Sequence, residues 1–167
     1  MQTFLPYADF ARSAAVLDHP RLGKQRVETL QILQVLLRLR WDNTAGVIEA
    51  YLPKGWRTHP VVLMWQGYET GLAAYQRAVC DEWVSRGFAD SCRAKTDGLL
   101  AVAHDTGHES GTAPPWLGDE ALHRSHQSNL VRKSPEVYGP LFPGVPDDLP
   151  YVWPVSPPRT EQPEPTG

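Results

Sequence analysis

The stretch from His59 to Phe88 constrains the fold of this chain more than any other. Pro60 suits the first position of a helix, and Gly87 is typical of a residue that closes one. Between them, apolar side chains recur every three or four residues, which is the spacing of one helix face. They are Val61, Met64, Trp65, Tyr68, Leu72, Tyr75, Val79 and Trp83. The pattern predicts an amphipathic helix of about 26 residues whose aromatic stripe packs into the core.

Two further helices are predicted, one on either side of it. A helix is predicted from near Leu22 to about Arg40. Apolar residues occupy much of its circumference, so we expect it to be largely buried. A third begins near Asp119, with acidic residues in its first turn and basic residues in its last, as the helix dipole favours. The segment TAGVIEAYLPKGW predicts a short helix ending in a turn. Residues 89–119 predict a long loop with a brief helical turn in LLAVAH.

Together these elements predict an all-α fold. We expect a compact single-domain bundle of about three main helices with long loops over residues 1–154, since a chain of 167 residues suits one core. Residues 155–167 are rich in proline and predict a disordered tail. No apolar run is long enough to span a bilayer, and the first ten residues lack the pattern of a secretory signal. We therefore expect a cytoplasmic monomer without membrane contact.

The cysteines and histidines give weak evidence for a metal. Cys80 and Cys92 lack the close pairing of a zinc knuckle, and no HExxH motif is present. His59, His104 and His108 could approach the histidines of the third helix, which leaves a metal-dependent hydrolase open as an alternative. We expect neither a metal nor a cofactor.

The charges are uneven along the chain, although the net charge is only −3. Residues 12–40 hold six bases against two acids, which makes a local basic patch. In this patch Arg21, Lys24, Gln25, Glu28 and Gln31 share one polar strip of the first predicted helix. Glu28 is therefore either an ion-pair partner of Lys24 or part of a site that binds phosphate.

The third predicted helix carries a second polar set. Its members are hydrogen-bond donors or cations that suit contact with phosphate, unless they form a solvated face. They are His123, Arg124, His126, Gln127, Arg132 and Lys133.

Several motifs together resemble one protein family. Leu17, Leu22 and Glu28 have the spacing of a helix entry that places a catalytic carboxylate. HPVVLMW through SRGF is similar to the family's long middle helix, and RKSPEVYGPLF is similar to its C-terminal basic helix with the proline and tyrosine that follow. Over about residues 5–143 the chain thus resembles the pyrimidine-dimer DNA glycosylases of the phage endonuclease V type, which are small all-α repair enzymes.

The resemblance implies a glycosylase that acts on damaged DNA and is also an abasic-site lyase. Its nucleophile would be the N-terminal α-amine, which we expect on Met1 because Gln2 is too large for the usual removal of methionine. The amine would attack C1′ of the sugar, release the base and form an imine, while Glu28 stabilises the cationic sugar and moves protons. An extruded nucleotide in a kinked duplex would give access.

The resemblance also implies DNA contacts, and we assign them to the polar residues of both helices. They are Arg21, Lys24, Gln25, Arg26, His123, Arg124, His126, Gln127, Arg132 and Lys133. Two departures stand out: Val27 precedes Glu28 where the family carries arginine, and the N-terminal segment is longer by about five residues. A non-catalytic nucleic-acid-binding relative, or a helical interaction domain with residues 89–119 as its partner site, therefore remains an alternative.

The tail gives the first testable prediction. Because residues 157–167 are proline-rich and net acidic, their deletion should leave the melting temperature unchanged and strengthen DNA binding slightly. Thermal unfolding and equilibrium binding of the truncated and full-length chains measure both effects. A clear loss of stability in the truncated chain would show that the tail is docked.

Overall fold

A computed structural model describes residues 1–155 and shows a mainly helical protein. The elements are α1 (Phe10–Ala15), α2 (His19–Leu37), β1 (Leu39–Asp42), β2 (Val47–Ala50), α3 (Pro60–Trp65), α4 (Glu69–Ser85), α5 (Cys92–Asp105), α6 (Glu120–Lys133) and α7 (Pro135–Tyr138). The helical class is confirmed. The count of about three main helices is wrong, because the described residues contain seven helices and a small sheet. Apart from Val155, the predicted tail lies outside the described residues.

Helix α2 carries the polar strip and is the frame of the structure. The carboxylate of Asp18 caps its N-terminus by accepting a hydrogen bond from Arg21 N at 3.0 Å, and Pro20 stands in its first turn. Its buried face includes Leu22, Leu33 and the polar Gln25. The helix ends at Arg38, whose φ of 55° is left-handed.

The long helix predicted from Pro60 onward is divided into α3 and α4. Gly67 lies between them with a φ of 82°, which breaks the helical backbone. The carbonyl of Gly67 accepts a hydrogen bond from Gly111 N at 2.8 Å, and Gly71 N donates to Gly111 O at 3.1 Å. A loop backbone therefore docks at the break, which the spacing of apolar side chains cannot reveal.

The segment predicted as a short helix is instead the second strand of a β-hairpin. Strands β1 and β2 pair antiparallel, with Leu39 opposite Ala50 and Asp42 opposite Val47. The carboxylate of Asp42 accepts a hydrogen bond from Thr44 N at 2.7 Å in the turn, and this bond lowers the pKa of Asp42. Local turn chemistry and β-branched side chains thus prevail over the weak helical pattern.

Residues 92–105, predicted as mostly loop, form the 14-residue helix α5. Its buried residues Cys92, Thr96, Leu99 and Ala103 keep helical spacing, so a signal was present in the sequence. Cys92 and Leu99 join Leu30 and Cys80 in a small apolar cluster beside the main core. The helix predicted near Asp119 is confirmed as α6, which Asp119 caps through Ala121 N at 2.8 Å.

The main core lies between α1, α2, α3, α4 and α6. Trp65, Tyr75 and Tyr138 are its largest fully buried side chains. The indole of Trp116 closes one side by donating to Met64 O at 3.0 Å. Over residues 1–155, no helix combines the length and the hydropathy needed to cross a membrane.

Candidate functional site

The first six residues run through the interior of the protein without joining a sheet. Gln2, Thr3, Phe4, Leu5 and Pro6 are all buried. A buried backbone must find hydrogen-bond partners, and here no neighbouring strand supplies them. Side chains from α2, α4 and α6 supply them instead.

Gln25 of α2 binds this segment on one side. Its Oε1 accepts a hydrogen bond from Phe4 N at 2.9 Å, and its Nε2 donates to Gln2 O at the same distance. The hydroxyl of Tyr75 lies 2.9 Å from Phe4 O and 2.7 Å from Gln25 Oε1. Burial raises the pKa of Tyr75, so this hydroxyl keeps its proton. Gln25 therefore holds the N-terminal segment in register with α2.

Helix α6 binds the segment on the other side. Leu5 N donates to His126 Nδ1 at 3.0 Å, and His123 Nδ1 donates to Leu5 O at 2.8 Å. His123 Nε2 accepts from Gly118 N at 3.0 Å, which fixes this tautomer. Burial lowers the pKa of His126 to about 3, so its ring is a neutral acceptor. Gln127 Nε2 completes the set by donating to Pro6 O at 2.8 Å.

Three of the α6 residues that we assigned to DNA contacts instead make hydrogen bonds to the backbone of the N-terminal segment. His123 and His126 are buried, and Gln127 is bound to Pro6. Arg132 and Arg124 are exposed, and their guanidinium groups contact Asn129 and the carbonyl of Gly144. The sequence shows which side chains are donors or acceptors but not which side of α6 faces the core.

At its outer end the buried segment opens into a cleft of about 730 Å³, which we call the Glu28 cleft. Its lining comprises Met1, Gln2, Phe4, Pro20, Arg21, Lys24, Gln25, Glu28, His59, Lys133, Tyr151 and Trp153. The cleft therefore brings the predicted catalytic pair, Met1 and Glu28, together with four of the predicted DNA contacts.

Glu28 makes hydrogen bonds in the structure rather than an ion pair. Its Oε2 accepts hydrogen bonds from Gln2 N at 3.1 Å and from Gln25 Nε2 at 3.3 Å. Among residues 1–155, no salt bridge to Glu28 is formed by Lys24 or by the amine of Met1. The alternative in which Glu28 serves as an ion-pair partner of Lys24 is therefore not what the structure shows.

The basic residues of α2 divide between the cleft and the fold. Lys24 is exposed at the rim, and Arg21 lies between Asp18 and the ring of Tyr138. Arg26 faces away from the cleft, with its Nη1 2.5 Å from Asp90 Oδ1 and its guanidinium 4.1 Å from the centre of the Trp83 ring. Arg26 is thus a structural residue in this conformation.

Three aromatic residues in the cleft were not assigned to a DNA-binding site from the sequence. His59 caps α3 by accepting from Val61 N at 3.2 Å, and its ring lies 6.1 Å from that of Trp153. Tyr151 lies 5.3 Å from Trp153. Burial lowers the pKa of His59, and the nearby N-terminal ammonium lowers it further. The signals were the HP pair before α3 and the aromatic YVW between two prolines.

The described residues contain no group of three or more His, Cys, Asp or Glu side chains arranged to hold a metal ion. The cleft instead combines a carboxylate, a backbone amine and cations at the rim with aromatic rings. Groups of these kinds suit contact with a polyanion that contains planar rings, such as a nucleic acid.

Comparison with known families agrees with this interpretation. The family model described as pyrimidine dimer DNA glycosylase matches residues 1–96, more than half of the chain. The chain therefore belongs to this family of DNA repair glycosylases, as the resemblance predicts. Neither the curated proteins nor the solved structures contain a match to it.

The buried His126 predicts how stability depends on pH. In the unfolded chain, His126 is protonated below a pKa of about 6.5. In the folded protein, its ring stays neutral down to about pH 3. Acidification from pH 7 to pH 5 should therefore destabilise the protein by about 2 kcal/mol through this one group. Urea unfolding at both pH values measures the change in free energy of unfolding.

Two variants separate this effect from general acid sensitivity. His126→Gln should lose most of the pH dependence between pH 7 and 5, even if it is less stable at pH 7. His104→Gln is the matched control, because His104 is 88% exposed and should keep the wild-type dependence. Equal pH dependence in all three proteins would contradict the assignment to His126.

Proposed function

We propose that this protein is a DNA glycosylase and abasic-site lyase that acts on pyrimidine-dimer-like damage through an imine on the α-amine of Met1. One observation carries the proposal. Met1 and Glu28 line the same cleft, and Glu28 is bound to the backbone of the next residue, Gln2, without an ion-pair partner among the described residues.

The arrangement suits nucleophilic attack at the sugar. The lone pair of the amine forms a bond to C1′, the glycosidic bond breaks, and the base leaves with that bonding pair. The amine then passes one proton to the departing base and one, through Glu28, to the ring oxygen as the C1′–O4′ bond breaks, which leaves a C=N bond between Met1 and C1′. Removal of a proton from C2′ expels the 3′ phosphate by β-elimination, and water releases the imine.

Glu28 has two tasks in this sequence. Its carboxylate stabilises the positive charge that develops on the sugar, and it carries protons between the ring oxygen and C2′. Gln25 is a positioning residue, because it binds both the N-terminal segment and Glu28 Oε2. The amine and the carboxylate are thereby held on one rigid frame, which favours a reaction between two placed groups.

The cations at the rim would bind the phosphates on either side of the damaged nucleotide. Lys24 and Arg21 lie on α2, and Lys133 comes from the end of α6. Tyr151 and Trp153 offer rings on which an extruded base could stack. Arg124 and Arg132 could add phosphate contacts from the exposed side of α6.

Borohydride trapping tests the imine directly. The purified full chain should form a covalent adduct with a duplex that carries an abasic site and with one that carries a pyrimidine dimer. Mass spectrometry should first confirm that Met1 is present with a free amine, and chemical blocking of that amine should abolish the adduct. No adduct with the native amine would support a non-catalytic nucleic-acid-binding relative instead.

Substitution of Glu28 tests its role. Glu28→Gln keeps the size of the side chain and should lower lyase activity by at least about a hundredfold, because general acid–base catalysis typically contributes that much. Binding to a duplex with a stable abasic analogue, and the melting temperature, should stay close to wild type. Glu49→Gln is the control, because Glu49 pairs with Arg40 on the hairpin, away from the cleft. Wild-type lyase activity in Glu28→Gln would rule out the catalytic role.

A further inference from the structure

Arg38 and Arg57 differ from the other arginines of the described residues. Neither guanidinium group makes a hydrogen bond, an ion pair or a contact with an aromatic face in residues 1–155. The other described arginines each have such a partner: Arg12, Arg21, Arg26, Arg40, Arg77, Arg86, Arg93, Arg124 and Arg132. Within the part of the chain that the structure describes, two exposed guanidinium groups are therefore left without a partner.

These two arginines line one cleft of about 380 Å³, which we call the Arg38 cleft. At its base the carboxylate of Glu69 is only 3% exposed and accepts from Gly67 N at 3.0 Å. His108 covers it, with Nε2 3.4 Å from Glu69 Oε2. The carboxylate of Glu69 thus lies under His108, and the exposed cations that line the cleft are Arg38 and Arg57.

The backbone at these positions is held in an unfavourable conformation. Among the described residues, Arg38 and Trp56 are the non-glycine residues with positive φ, at 55° and 67°. Trp56 directly precedes Arg57. Such conformations are less favourable for side chains other than glycine and tend to persist at ligand clamps. Arg38 itself and the residue before Arg57 thus have left-handed backbone conformations.

The Arg38 cleft shares one lining residue with an opening beside Met1 and Glu28. Val35 lines it and also lines a second opening beside Met1 and Glu28, together with Gln31 and Gln34. Arg38 follows Glu28 by ten residues along α2, which at 1.5 Å per residue is a separation of about 15 Å. At 3.4 Å per nucleotide, that is about four nucleotides of a DNA strand.

We propose that Arg38 and Arg57 together bind a backbone phosphate of DNA, about four nucleotides from the reacting nucleotide. This inference rests on the proposed function and extends it. Arg21 and Lys24 precede Glu28 on α2 and Arg38 follows it, so the DNA is gripped on both sides of the reacting sugar. A guanidinium pair suits phosphate because its planar donors match the phosphate oxygens.

The test compares two double variants of the full chain. The clamp variant, Arg38→Gln with Arg57→Gln, removes the two guanidinium groups that we propose bind the phosphate. The control pair, Arg40→Gln with Arg93→Gln, removes two half-exposed arginines that have acidic partners, Glu49 and Asp81. Binding to a labelled duplex with a stable abasic analogue is measured over a range of salt concentrations. Because one phosphate contact is lost, the clamp variant should reduce the magnitude of the slope of log K against log salt by about 1 and weaken binding by roughly 8-fold near 0.1 M salt. The control pair should keep the wild-type slope.

Duplex length gives a second readout that a purely structural role of Arg38 would not change. Shortening one arm of the duplex to fewer than about four nucleotides should lower wild-type affinity to that of the clamp variant. Shortening the other arm should preserve the difference between the two proteins.

The outcomes separate this inference from the proposed function. A clamp variant with wild-type slope and affinity, in a protein that forms the borohydride adduct, would overturn the clamp and leave the function standing. A wild-type protein that neither binds the duplex nor forms the adduct would overturn both.

Discussion

The structure depends on the side chains that bind the backbone of residues 2–6. A buried peptide group without a partner costs about 1–3 kcal/mol, so an unpaired segment of this length would be a large part of the stability of a small domain. Gln25, Tyr75, His123 and His126 supply partners in place of a neighbouring strand. Because these partners come from three different helices, the segment also ties α2, α4 and α6 together. Loss of any one of them would loosen both the core and the position of Met1.

The same arrangement links the fold to the chemistry we propose. Gln25 and Glu28 lie three residues apart on α2, and both bind the buried segment and line the cleft. A movement of the N-terminal segment therefore moves Met1 relative to Glu28 only if it also breaks hydrogen bonds to Gln25. An amine on a free chain terminus would sample many positions, and this constraint removes most of that conformational entropy before the substrate binds.

The spacing of apolar residues predicts some elements of this fold and not others. Helices α2 and α6 are predictable, because each has a cap and a consistent apolar face. The break at Gly67 and the hairpin at Val47 are not, because they depend on a docked loop and on turn hydrogen bonds to Asp42. In the candidate site, Glu28 is singled out because its spacing from Leu17 and Leu22 resembles the family's pattern, and its catalytic role stays a prediction. The buried roles of His123 and His126 are hidden, since polar residues that bind a core backbone look the same in sequence as polar residues on a surface.

The charge distribution explains how a chain with a net charge of −3 can act on DNA. Ion pairs in the described residues neutralise Arg26, Arg77, Arg86 and other arginines locally, so they add little to the field at a distance. No ion pair involves Lys24 or Lys133 in the described residues, and both stand beside the Glu28 cleft. Since screening limits charge effects to about 8 Å at physiological salt, the phosphates respond to these nearby cations and hardly to the acidic residues elsewhere. Net charge is therefore a poor guide to nucleic-acid binding when ion pairs neutralise many cations and leave others, such as Lys24 and Lys133, without an acidic partner in the described residues.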